Sequence, residues 1–161
     1  MLGNYGIGQA FMNCTSLTKV QLNTITGLAY GGMSNCFNGD TSLQEVELTN
    51  LNRVNGSDEQ FRMAFYGCTS LKSVKIPLYS ETQYVTGSNV WDEAFNGCVS
   101  LETIDFSQAT SIPKISTNTF TNTNNTFKVI VPDALYNDWI AATNWSSISS
   151  HVISKTDYEA L

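Results

Sequence analysis

The chain has 161 residues, of which 42% are apolar and 14% are charged, and its formal net charge at pH 7 is −6. These values are typical of one folded domain and exclude a disordered chain. The acidic balance, without any cluster of Lys or Arg, argues against a nucleic-acid partner, because phosphate binding needs a concentrated basic face.

The sequence predicts neither membrane insertion nor a secretion signal. No window approaches the roughly 20 apolar residues of a spanning helix, and the first residues lack the basic and apolar regions of a signal peptide. Two explanations fit: an excised piece of a longer surface protein, or a protein such as a phage virion component that needs no signal. Residues 3–9 lead into the first repeat without a polar capping element, so we favour an N-terminal end that is truncated or lacks its cap.

One phrase returns along the chain. It runs Ala10-Phe11-x-x-Cys14-x-Ser16-Leu17-x-x-Val20-x-Leu22, and closely similar copies begin at Ala64 and Ala94. Two degenerate copies, around Phe37 and Phe120, carry Asp40 and Thr123 in the cysteine slot, and Thr126 takes the leucine slot of the last. The five phenylalanines are 25 to 30 residues apart. Such a period indicates units that must stack to bury their apolar faces, so we expect a solenoid of about five repeats over residues 1–132.

Each copy predicts one helical or 3₁₀ turn at Ala-Phe-x-x-Cys, followed by a short strand with alternating inward residues. The strands should stack in parallel around a shared core, which gives a mainly β or α/β fold. The predicted core comprises Phe11, Leu17, Val20, Leu22, Phe37, Leu43, Val46, Leu48, Phe65, Leu71, Val74, Ile76, Phe95, Leu101, Ile104, Phe106, Phe120, Val129 and Val131. The outward face should be mostly polar, with Lys19, Gln21, Glu45, Glu47, Ser73, Lys75, Thr103, Asp105, Lys128 and Ile130.

Cysteines occupy a repeated position. Cys14, Cys68 and Cys98 fall in one slot and Cys36 in another. Equivalent slots of adjacent coils lie about 4.8 Å apart, so two interpretations stay open: buried free thiols that fill apolar space, or a bridge between Cys68 and Cys98. No ligand spacing typical of a zinc site occurs.

The variation in repeat length maps to two predicted protruding loops, residues 50–62 and 78–91. Four residues of the second loop are candidate binding residues: Tyr79, Glu81, Tyr84 and Trp91. Exposed aromatic rings offer a large contact area to protein or sugar partners. The alternative is that Tyr84 and Trp91 pack back onto the coil, which we prefer for Trp91.

The C-terminal segment 133–161 changes character. Pro132 should end the last strand and Asp133 should cap a helix over residues 134–143, whose apolar stripe contains Leu135, Trp139 and Ala142. This helix, together with Trp145, Val152 and Ile153, is predicted to cover the open end of the solenoid.

No catalytic or metal-binding motif is found. His151 lacks a nucleophile or spaced carboxylate and is predicted to be an ordinary surface residue. The acidic pairs at 58–59 and 92–93 are predicted to be solvated, not the acid/base pair of a glycosidase. Calcium binding by loops 38–40 or 56–59 is a weak alternative, because neither has the spaced oxygen ligands of an EF-hand. We therefore predict a protein that is not an enzyme and has no cofactor or resident metal.

The frame is most complete from Ala64 to Pro77, where it resembles the BspA-like, or Treponema pallidum-type, leucine-rich repeat. The resemblance covers about residues 10–132, and residues 131–145 are similar to the terminal segment of such arrays in gut bacterial and phage-encoded proteins. It implies a right-handed solenoid, a secreted, cell-surface or virion location, a role in adhesion and no catalytic residues. Asp40, Thr123, the unequal spacing and the scarcity of proline depart from the pattern.

The sequence thus predicts a noncatalytic recognition module that binds a host or cell-surface protein or glycan, with protein ahead of carbohydrate. The alternative is a structural spacer or stalk within a larger surface or virion protein.

Overall fold

Each repeat contributes one short strand to a common parallel sheet. The computed structural model describes residues 6–55, 59–81, 87 and 90–161. The strands are β1 (Lys19–Gln21), β2 (Gly27–Leu28), β3 (Glu45–Glu47), β4 (Arg53–Val54), β5 (Ser73–Lys75), β6 (Thr103–Asp105), β7 (Lys128–Val131) and β8 (Val152–Ser154). The helices are a 3₁₀ turn at Asp133–Leu135, α1 (Tyr136–Ala141), a 3₁₀ segment at Trp145–His151 and α2 (Lys155–Glu159).

The main sheet has the order β1-β3-β5-β6-β7-β8, with every neighbouring pair parallel. The inward residues pair in register, from Val20 with Val46 through Val74 with Ile104. A second small sheet joins β2 to β4, and a further parallel bridge joins Val54 to Glu81. The predicted stack of parallel strands in a repeat solenoid is therefore confirmed.

The Ala-Phe-x-x-Cys elements are successive tight turns that also link the coils. In the first, the amide of Cys14 donates within the turn to the Phe11 carbonyl (3.0 Å), as in a 3₁₀ turn, while the amide of Phe11 donates to Cys36 of the next coil (3.0 Å). The backbone donors thus alternate between acceptors within the turn and acceptors in the next coil. This alternation is accompanied by left-handed backbone conformations, with positive φ angles, two positions before or after each phenylalanine. The residues with these conformations are Gln9, Asn13, Asn35, Gly39, Met63, Gly67, Glu93, Gly97 and Asn122. The turns therefore form a second hydrogen-bonded ladder opposite the sheet.

A ladder of aromatic rings runs through the core between the two hydrogen-bonded ladders. Phe11, Phe37, Phe65, Phe95 and Phe120 stack in sequence, with ring centroids 5.2 to 5.6 Å apart and interplanar angles of 2° to 12°. The middle three rings are buried, whereas Phe11 and Phe120 are half-buried. Leu17 and Leu22 of the first coil are also half-buried, because that coil packs on one described neighbour only.

Two positions near the last repeat differ from the predicted pattern. Thr126, in the leucine slot, is exposed, and Phe127 fills the core instead, stacked on Phe120 with a centroid distance of 4.9 Å. Ile130 was expected on the solvated face but is only 6% exposed, because α2 contacts β7 and β8 at that end of the sheet. In β7, therefore, only the inward residues Val129 and Val131 follow the repeat frame strictly.

All four cysteines are free, which excludes the Cys68–Cys98 bridge in this structure. Cys36, Cys68 and Cys98 are buried as expected, but Cys14 is exposed on the first coil. The thiol of Cys68 donates to the Phe37 carbonyl (3.0 Å) and that of Cys98 to the Phe65 carbonyl (3.1 Å). Burial raises the pKa of the Cys68 thiol to about 12. The repeated cysteine is thus a hydrogen-bond donor between coils as well as an apolar filler.

The C-terminal segment continues the sheet. The predicted single helix is a 3₁₀ turn followed by α1, and Trp139 and Trp145 pack edge to face beneath it, 5.5 Å apart. Asp133 does not cap this helix; its carboxylate accepts from the amide (3.0 Å) and hydroxyl (2.8 Å) of Thr156. Val152 and Ile153 belong to β8, which pairs with β7, so the sheet extends beyond residue 132.

The aromatic ladder predicts a position-dependent cost of ring removal. Phe65→Ala deletes a fully buried ring between two stacked neighbours and should lower the free energy of unfolding by about 3–5 kcal/mol. Phe11→Ala, at a half-buried ring with one stacked neighbour, should cost clearly less. Urea unfolding followed by tryptophan fluorescence measures both, and equal losses at the two positions would contradict a core shared between coils.

The left-handed turn positions give a second, paired prediction. Gly39 and Gly67 both have left-handed φ angles, +81° and +70°. An added Cβ at Gly67 meets nothing within 4 Å, whereas one at Gly39 would collide with the Asn13 side chain. Gly67→Ala should therefore cost only the conformational strain, about 1–2 kcal/mol, and Gly39→Ala should cost more. Adding Asn13→Gly should remove the excess; persistence of the full loss in the double variant would show that the collision is not its cause.

Candidate functional site

The outer face of the main sheet carries a contiguous charged surface at its β1 end. The residues that alternate with the inward valines point away from the core. We call this surface the charged face; it comprises Lys19, Gln21, Glu45, Glu47 and Lys75. Because the strands are in register, equivalent side chains of neighbouring coils stand side by side.

Glu47 lies at the centre of the charged face. Its Oε2 accepts from Gln21 Nε2 (2.7 Å), and its Oε1 lies 3.3 Å from Lys75 Nζ and 3.7 Å from Lys19 Nζ. The hydrogen bond from Gln21, followed by the contact with Lys75, lowers the pKa of Glu47. Lys19 also pairs with Glu45 Oε2 at 2.7 Å, which raises the pKa of Lys19. These contacts favour the charged forms of Glu47 and Lys19.

The exposure of these side chains leaves them open to a partner. Lys19, Glu45 and Lys75 are 49%, 44% and 48% exposed, whereas Glu47 is 14% exposed. Ion pairs this exposed contribute little to stability, about 0–1 kcal/mol each. Towards the other end, Lys128 Nζ donates to Ser150 O (3.3 Å) and Ile130 is buried. The side chains that pair with one another on this face lie on β1, β3 and β5, whereas Asp105 of β6 accepts from the amide of Ser107 (2.8 Å).

Three of the four candidate binding residues of the second loop are described, and the two aromatic ones among them are not exposed. Tyr79 and Trp91 lie in the core, 0% and 1% exposed, so the expectation that these two rings are exposed is wrong. Trp91 stacks on Phe61 with a centroid distance of 3.9 Å. The packing alternative that we preferred for Trp91 is therefore the one observed. Tyr84 lies outside the described residues.

Tyr79, Trp91 and Glu81 form one hydrogen-bonded chain. Trp91 Nε1 donates to the Tyr79 hydroxyl (3.2 Å), which donates to Glu81 Oε1 (2.7 Å). The same oxygen accepts from the Lys114 amide (3.1 Å). Burial raises the pKa of both Tyr79 and the half-buried Glu81. The chain satisfies polar groups at the base of the loop and gives Glu81 a structural anchoring role.

A cavity of about 340 Å³ lies beside these hydrogen-bonded side chains, between the segment after β6 and the turn that follows α1. It is lined by Gly87, Ile112, Pro113, Lys114, Ile115, Ala142, Thr143, Asn144 and Trp145. Trp145 Nε1 donates to Pro113 O (2.7 Å), and Asn144 Nδ2 donates to Ile115 O (2.6 Å). These lining donors are already bound to the protein and are not directed at a ligand.

A family comparison agrees with this architecture. The model of the BspA type leucine rich repeat region, in six copies, matches residues 7–83 and 61–157. The chain belongs to this family. The match of the BspA-type repeats includes β8, beyond the predicted end of the array at residue 132. Comparisons with curated proteins and with solved structures found no match.

The remaining polar candidates of this BspA-type protein are engaged in local contacts. Asp92 accepts from the Ser116 hydroxyl (2.8 Å), and Glu93 accepts from Asn96 Nδ2 (3.2 Å). Asp40 of the loop 38–40 is buried, whereas most of the loop 56–59 lies outside the described residues. Among the described residues, no three His, Cys, Asp or Glu side chains are grouped to hold a metal ion. None of the described helices combines the length and hydrophobicity needed to cross a bilayer.

His151 has a role that the sequence analysis missed. Its ring is half-buried and stacks on Phe127, with centroids 4.2 Å apart, and its Nδ1 lies 3.0 Å from the Phe127 carbonyl oxygen. It therefore ends the aromatic ladder of the BspA-type repeats instead of being an ordinary surface residue. The repeat frame gave no signal for it, because neither Phe127 nor His151 occupies the phenylalanine slot.

The Tyr79 chain yields a stability prediction. Tyr79→Phe preserves the ring but leaves Trp91 Nε1–H without its acceptor and removes the hydroxyl donor to Glu81, so it should cost about 1–3 kcal/mol. Tyr158→Phe, at a half-buried tyrosine without a hydrogen bond from its hydroxyl among the described residues, is the matched control and should change little. Thermal or urea unfolding compares them, and a Tyr79→Phe variant as stable as wild type would contradict the anchoring role.

Proposed function

We propose that this chain is a noncatalytic recognition module that binds a protein partner through the charged face. The observation that supports this most directly is the arrangement around Glu47, where Lys19, Gln21 and Lys75 converge on one carboxylate in the open part of the sheet. The strands hold the backbone positions of these groups at a fixed spacing, so the pattern of charges is set by the sheet before a partner binds. A rigid, polar, exposed surface is suited to recognition, and its residue types do not form an acid/base or nucleophile pair.

The distribution of charge favours a protein partner over a glycan. Both signs alternate on the face, so it complements a surface that itself carries Lys/Arg and Asp/Glu side chains. A sugar site would be expected to present an aromatic ring against which the sugar packs. Among the described residues no aromatic side chain is fully exposed; the exposed large apolar side chains are Met12, Val99 and Leu161.

The setting that we propose is adhesion at a cell or virion surface. This part of the proposal is supported by the resemblance to BspA-like repeats, which implies secreted, cell-surface or phage-tail proteins. The alternative of a spacer or stalk is supported by a specific feature, the unbroken aromatic ladder, because it gives the coil a continuous stiff core.

Charge reversal on the charged face tests the proposal. The wild-type chain is screened by biolayer interferometry against purified extracellular-matrix and cell-surface proteins and against a glycan array. For each protein bound, Lys19→Glu combined with Lys75→Glu should weaken binding at least about tenfold, since rim and face charges steer association and register. Binding should also weaken as salt rises from 0.15 to 0.5 M, because exposed charges are screened.

Lys155→Glu is the matched control, because Lys155 is similarly exposed (41%) but lies on α2, away from the charged face. It should leave binding unchanged. Binding that survives the double reversal would reject this face as the site, glycan binding alone would support the carbohydrate alternative, and no ligand in either array would support the spacer.

A further inference from the structure

The junction between the first two coils contains a buried carboxyl group where its neighbours have a thiol. Asp40 occupies the cysteine slot of the second repeat and is 0% exposed. Its backbone follows the cysteines closely: the amides of Asp40, Cys68 and Cys98 each donate to the carbonyl of the phenylalanine three residues earlier, at 3.0 to 3.1 Å. The slot is therefore the same in space as well as in sequence.

The slot has a defined hydrogen-bonding task. The side chains of Cys68 and Cys98 each donate a proton to the phenylalanine carbonyl of the preceding coil. The equivalent acceptor for Asp40 is the carbonyl of Phe11. An ionised carboxylate has no proton to donate and cannot perform this task.

The two carboxyl oxygens of Asp40 have different surroundings. Oδ1 accepts from the Cys14 amide at 2.7 Å, and that same amide lies 3.0 Å from the Phe11 carbonyl oxygen. The Cys14 amide is therefore shared between the Asp40 carboxyl group and the carbonyl that the slot would serve. Oδ2 is buried and has no hydrogen-bond partner. An unpaired, buried carboxylate oxygen is costly, whereas a protonated one next to a carbonyl gains a bond.

The charges around Asp40 do not favour its ionised form. Asp40 takes part in none of the ion pairs among the described residues. The titratable groups that interact with it are thiols, Cys36 on its own coil and Cys68 on the following coil, and the preceding coil offers the Cys14 amide. Burial raises the pKa of Asp40, against the opposing effect of the Cys14 hydrogen bond.

We propose that folded Asp40 keeps its proton to a higher pH than the unfolded chain does, that its protonated Oδ2–H donates to the Phe11 carbonyl as the thiols of Cys68 and Cys98 do to theirs, and that its ionisation weakens the junction between the first two coils. This makes the junction between the first two coils, here called the joint, sensitive to pH. Below the pKa of an unfolded aspartate, about 3.9, both states hold the proton and the joint is at full strength. As pH rises, the unfolded chain releases its proton first, so stability falls until the folded-state pKa is passed and then stays constant.

Site-resolved titration of the full chain tests the protonation directly. In protein labelled with ¹³C at the aspartate carboxyl groups, the Asp40 resonance, assigned by its loss in Asp40→Asn, should titrate at a higher pH than the unfolded-chain value of about 3.9. An Asp40 midpoint at or below that value would overturn the proposal.

Unfolding measurements test the consequence for the joint. Asp40→Asn keeps an acceptor for Cys14 and supplies a permanent N–H donor, so its unfolding equilibrium constant should match that of wild type near pH 4. At pH 7 it should be lower than wild type, by about tenfold for each unit by which the pKa of Asp40 is raised. If Asp40→Asn does not fold, Asp40→Cys is the second variant, because it restores the cysteine that other repeats have in this slot.

Glu81→Gln serves as the control, because burial also raises the pKa of Glu81 and so contributes a separate pH dependence. The change produced by Asp40→Asn should persist in the Glu81→Gln background, since the two carboxyl groups lie in different coils. Asp40→Asn and Asp40→Cys variants that are both less stable than wild type at pH 7 with an unchanged pH profile would show that the ionised carboxylate holds the joint, contrary to the proposal.

Discussion

The structure depends on burial that is shared between successive coils. A coil of 25 to 30 residues cannot enclose a phenylalanine ring by itself, so each inner ring is covered by the rings before and after it. Two hydrogen-bonded ladders flank the rings, the parallel sheet on one side and the turn amides on the other. All three ladders follow the same sequence repeat. A shift of register in one ladder would disrupt the other two, so the register of the coils is strongly specified.

Because the core sets this shared register, the residue types on the surface are not constrained by those in the core. Inward positions are confined to residues that fit the stack, whereas the two outward positions of each strand are free to vary. Lys19, Glu45 and Ser73 stand in one row as a result of pairing that their own side chains do not determine. A charged surface can therefore be changed in sequence without altering the fold, which is the property a recognition module requires.

The periodic part of the structure could be predicted from the sequence, and the departures lie where the period fails. The spacing of Phe37, Phe65 and Phe95 was enough to predict the ladder and the strands after it. Trp91 and Tyr79 lie in the longest insertion, where no repeat position indicates direction, and their inward packing depends on Glu81 as a partner for the buried hydroxyl. Phe127 lies one residue after the leucine slot, where the repeat frame predicts no core residue, and it fills the core in place of the exposed Thr126.

The cysteine slot shows how a repeat can acquire local function through one substitution. At the next two junctions the slot holds the thiols of Cys68 and Cys98, whose raised pKa values favour the protonated form that donates to the preceding coil. Asp40 introduces a group of much lower intrinsic pKa at a junction that has the same backbone. The ion pair between Lys19 and Glu45 crosses this same junction on the outer face. A change in the spacing of the first two coils would therefore be transmitted to the two strands that carry the most open charges, because a packed stack has no flexible layer between its core and its surface.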